Sequence, residues 1–138
     1  MALIKTQKAA LREREAAEKK LAVLREYARL WQEYFKFFAD RIEGRRITEA
    51  EENTFAQLMN VLALNRFRFV ETAYPHFKDP DSILKVLTET VSLAHLQQMS
   101  DAQFSKLQID WHTIFIAMNK AIGKFIASMP PAPESAQQ

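Results

Sequence analysis

The sequence predicts an all-α protein: an antiparallel up-down-up-down four-helix bundle whose long first helix overhangs the other three. Three observations point there. Glycine occurs only twice in 138 residues, and the five prolines sit at Pro75, Pro80 and a terminal group of Pro130, Pro131 and Pro133, so long stretches are free of helix breakers. Through those stretches apolar residues return every three or four positions, the period of a helix with a buried face. Short segments of turn and capping chemistry separate them. With 48% apolar and 11% aromatic residues, the chain can bury the core of one domain.

The first helix is expected from about Leu3 to Glu43, with Arg41 in its last turn and Gly44 ending it. The second opens on Thr48-Glu49-Ala50-Glu51, a capping box, and runs to about Ala73, where Tyr74-Pro75 begins a breaking segment. Asp79 as N-cap and Pro80 at the first helical position start the third, which is expected to reach Gln98. Ser100-Asp101-Ala102-Gln103, a second capping box, starts the fourth, which extends to about Ser128. The single helical domain thus covers residues 1–129, and residues 130–138 are expected to be a disordered tail. Connections this short force neighbouring helices antiparallel. The second helix is too short to cover the first, which leaves residues 1–18 as a projecting helix, marginal in water unless something packs on it.

Aromatic residues crowd the first helix: Tyr27, Trp31, Tyr34, Phe35, Phe37 and Phe38 fall within twelve positions. With Leu24, Ala28 and Leu30 they spread over roughly 180° of helix surface, against roughly 100° for an ordinary bundle helix. The second helix places Phe67 and Phe69 on opposite sides, and the fourth carries Ile109, Ile116 and Gly123 at seven-residue spacing away from its main apolar stripe. This excess of two-sided helices points to an oligomer interface, most simply a symmetric homodimer. The candidate interaction residues are Leu3, Ala10, Leu11 and Ala17 on the overhang, and Ile109, Ile116 and Gly123 on the fourth helix. The alternative is a pocket for an apolar small molecule or cofactor among Trp31, Tyr34, Phe35, Phe67 and Trp111.

The chemistry-bearing residues offer little else. Cysteine is absent, which removes thiolate catalysis and thiolate metal sites and suits a cytoplasmic location. His76, His95 and His112 are the only histidines; in an antiparallel hairpin the last two stand about 12 Å apart along the axis, too far to share a metal. Glu89 is placed to approach His112, an arrangement that reads as a surface ion pair. No phosphate-binding glycine loop or nucleophile elbow occurs, so neither catalysis, a metal nor a cofactor is expected.

Net charge is +2 but uneven: residues 1–46 carry +5 and residues 47–138 carry −3. Acids interrupt the basic segment, which speaks against nucleic-acid binding, and no window is apolar enough for a membrane span or signal segment. The function expected is protein–protein contact: an oligomeric scaffold, an adaptor or an export-chaperone-like protein.

Overall fold

Capping chemistry sets the element boundaries. The computed structural model describes residues 2–42 and 46–130, with side chains from residue 7 onward; Gly44, the tail beyond Pro130 and the Leu3 side chain lie outside the described residues. Four helices are present among them: α1 (Ala2–Arg41), α2 (Glu49–Ala73), α3 (Pro80–His95) and α4 (Asp101–Ala127). At the start of α2 the Thr48 hydroxyl accepts the Glu51 amide (3.2 Å), while the Glu51 carboxylate accepts the Thr48 amide (3.1 Å). Ser100 and Gln103 repeat the exchange at the start of α4 (3.1 and 2.9 Å). Asp79 caps α3 by accepting the Ser82 amide (3.1 Å), with Pro80 in the first turn, where its missing N–H breaks no helical bond.

The sequence carries α3 to Gln98, but the helix ends at His95. Gln97 adopts a left-handed backbone (φ 59°), and its carbonyl accepts the Ile47 amide (3.3 Å). The two connections at this end are thereby stitched together, with an isolated antiparallel bridge between Arg46 and Gln98. Ile47 and Met99 plug the same end, and both are buried. Each directly precedes an N-cap, and Met99 with Phe104 occupies the two positions of a hydrophobic staple.

The helices form an antiparallel four-helix bundle in which α1 and α3 each pack against α2 and α4, with α1 and α3 at opposite corners. With 40 residues α1 is about 60 Å long, whereas the 25 residues of α2 span about 37 Å, so α1 overhangs. Leu24 is the first fully buried side chain among the described residues of α1. Between residues 7 and 20 only Ala10, Arg14 and Ala17 are half-buried, and the others are exposed. Arg14 bounds the free part, because its Nη1 donates to the Pro130 carbonyl (2.7 Å) and draws the exit from α4 back against α1.

The aromatic crowding of α1 is taken up inside one chain. Trp31 meets Trp111 (ring centroids 3.9 Å apart), and Phe35 stacks on Trp111 (5.1 Å) and Phe104 (6.2 Å), all on α4. Tyr27 stacks on Phe69 (5.0 Å), while Phe37 and Phe38 meet Phe55 edge-on (5.6 and 4.7 Å), all on α2. Two neighbours at adjacent corners require an apolar arc wider than one stripe. The breadth of α1 is thus matched by the two helices it touches, α2 and α4.

Candidate interaction surface

The indole, hydroxyl and phenol groups of the core find protein partners. Trp31 donates its indole N–H to the Trp111 carbonyl (3.0 Å), and Trp111 donates its own to the Thr90 hydroxyl (2.8 Å), which in turn donates to the Val86 carbonyl (2.8 Å). The Tyr27 hydroxyl donates to the Leu62 carbonyl; burial pushes its pKa well above the ordinary range, and the Arg66 cation offsets part of that shift. The suggested pocket is thus largely filled by its own rings. Trp31, Phe35 and Trp111 come together with Tyr34 half-buried on the same core, leaving a groove of about 200 Å³ over them between α1 and α4. Phe67 does not join them. It lies on the outer side of α2, 57% exposed, with the Arg66 guanidinium 4.2 Å above its ring.

The titratable groups also separate. Glu52 accepts from His95 Nδ1 (2.7 Å) and from the Gln97 side chain (3.1 Å), and these two bonds, His95's first, hold its carboxyl below the ordinary value. A carboxylate only accepts, so Nδ1 must carry the proton. Glu89 does not approach His112. It accepts from Lys106 (3.1 Å), which also donates to Asp110 (2.9 Å), and the pair raises the lysine's pKa, Asp110 first. Among the described residues no group of three or more acids or histidines converges to hold a metal ion, and no helix is long and apolar enough to cross a membrane.

What the bundle presents outward is apolar surface in rows. On α2, Val61, Leu64 and Phe67 recur every three residues on the outer side, Leu64 being 73% exposed. On α4, Ile109 (64% exposed), Ile116 and Gly123 form the seven-residue row read from the sequence; a Cβ on Gly123 would meet no atom within 4 Å. On the overhang Leu11 is exposed, while Ala10 and Ala17 are half-buried. The α2 row was missed in the sequence because Leu58 to Leu64 is almost continuously apolar, so spacing alone does not say which residues turn outward. Valleys flank that row: one of about 360 Å³ against α1, floored by Tyr27 and Phe69, and one of about 700 Å³ against α3. Comparison with protein-family models, with curated proteins and with solved structures yields no match to this chain.

Proposed function

We propose that this chain is a non-enzymatic, cytoplasmic protein–protein interaction module, an oligomeric scaffold, adaptor or export-chaperone-like protein, whose simplest assembly is a homodimer. The observation that carries this reading is the arrangement of exposed large apolar residues in rows on α2 and α4, joined by an overhanging helix with Leu11 uncovered. Isolated exposed leucines are ordinary, but rows along one helix face are the form that helix-to-helix contact takes.

Sedimentation equilibrium at micromolar concentration tests it. A species heavier than the 16.0 kDa chain is expected, and a single 16.0 kDa species at every concentration would overturn self-association. Native mass spectrometry adds a second readout: a multimer without added mass supports this reading, whereas a retained small molecule would favour the aromatic groove over Trp31 and Trp111.

A further inference from the structure

α2 turns Phe55, Met59, Leu62 and Phe69 into the core, and its outer side carries its exposed large apolar residues, Val61, Leu64 and Phe67. Leu64, the most exposed of the three, stands in the middle with one apolar neighbour three positions to either side. Polar residues bound this patch at equal distances. Asn60 and Gln57 precede Leu64 by four and seven positions, Arg68 and Glu71 follow it by four and seven, and all four are exposed on the same outward face. Neither Arg68 nor Glu71 is hydrogen-bonded or ion-paired with another described residue.

When a second copy of α2 is laid antiparallel on this face with the two-fold axis at Leu64, a residue before Leu64 stands level with the one equally far after it on the other copy. The chemistry then matches at each level. Leu64 meets Leu64, Val61 meets Phe67, the side-chain oxygen of Asn60 accepts from the Arg68 guanidinium, and the Gln57 amide donates to the Glu71 carboxylate. Arg66 remains over the Phe67 ring of its own chain. A parallel pair has no such match. It sets Arg68 beside Arg68 and brings together two first turns that each hold Glu49, Glu51 and Glu52, whereas the antiparallel pair keeps those acidic turns more than about 35 Å apart.

We propose that the chain forms a two-fold dimer through α2 against α2 of a second copy, antiparallel and centred on Leu64. This deepens the proposed self-association and rests on it. The same patch serves both copies, so the contact is isologous and closes at two. Contacts through the overhang or through the α4 row, which lies diagonal to α2 in the bundle, would add to this one.

The full-length chain has no cysteine, so a single introduced thiol reports the register directly. Gln57→Cys and Glu71→Cys change exposed residues that stand opposite each other in the antiparallel pair, while each stands about 21 Å along the axis from its own counterpart. Mixed one to one under mild oxidation, Q57C and E71C are expected to form a disulfide-linked dimer about tenfold or more faster than either alone. Leu64→Lys sets two ammonium groups together at the axis and is expected to weaken association by about tenfold or more in sedimentation velocity, with its circular dichroism melt unchanged. If Q57C links to itself as fast as to E71C, the helices do not pair in this register and the inference falls. If L64K associates like the unsubstituted chain, or the mixture gives no linked dimer although the unsubstituted chain associates, the dimer is built on another surface; the inference falls and the proposed function stands. An unsubstituted chain that stays at 16.0 kDa at every concentration sinks the underlying reading itself.

Discussion

Among the described residues Thr90 is the one polar side chain buried outright, and its hydroxyl serves two bonds at once, accepting from Trp111 and donating to Val86. Thr90→Val keeps the shape and strands the indole N–H in a dry interior. The expected loss is about 1–3 kcal/mol in equilibrium urea unfolding. Trp111→Phe removes the donor, so the double variant should lose less than the sum of the two; strict additivity would mean the bond contributes nothing. Glu52 allows a pH prediction whose sign is fixed by its lowered carboxyl. Its contribution is present above the ordinary value of 4.5 and is lost as pH falls below it, when the carboxylate that accepts from His95 and Gln97 is protonated. Glu52→Gln should therefore flatten the acid side of the melting-temperature profile below about pH 4.5, and an unchanged profile would contradict this.

At the scale of single helices, the outward row of α4 and the overhang of α1 separate stability from association. Gly123 lies inside α4 with open space where a Cβ would stand. Gly123→Ala is expected to stabilise the chain by about 0.5–1 kcal/mol through helix propensity alone. A destabilised variant would show that its backbone is closely approached after all. Removing residues 1–12 stops short of Arg14, which holds the Pro130 carbonyl, and of every core position among the described residues. The truncated chain should melt at the same temperature as the full chain while associating more weakly. If its melting temperature falls sharply, the overhang belongs to the core of its own chain. The same contrast runs along α1: its aromatic half is fixed by α2 and α4, and its first turns lie beyond the end of α2.

Across the whole molecule, residues 1–46 carry +5 and the remainder −3, so one chain joins a basic segment to an acidic one. Association through such segments should weaken as salt rises from about 0.01 M to about 1 M, where the screening length falls from about 30 Å to about 3 Å. Association strengthened by salt would instead point to the apolar rows of α2 and α4. The division between what was legible and what was not follows the range of the forces. Helix number, the three N-caps and the overhang could be read from the chain alone, because caps act within three residues and breakers act on their own backbone. Seven-residue spacing also located the Ile109, Ile116 and Gly123 row, since position along one helix is local geometry. Which flank of a two-sided helix is covered was decided only in three dimensions. Phe69 is buried and Phe67 is not, although both are phenylalanines two residues apart. Gln97 ends α3 early because its carbonyl is held by Ile47, fifty residues before it in the chain. Glu89 meets Lys106 and not His112, and α1 sets Trp31 and Phe35 against α4 and Tyr27, Phe37 and Phe38 against α2. Periodicity records how wide an apolar surface is, but what covers that surface depends on which helices stand beside it, and that is fixed only when the bundle closes.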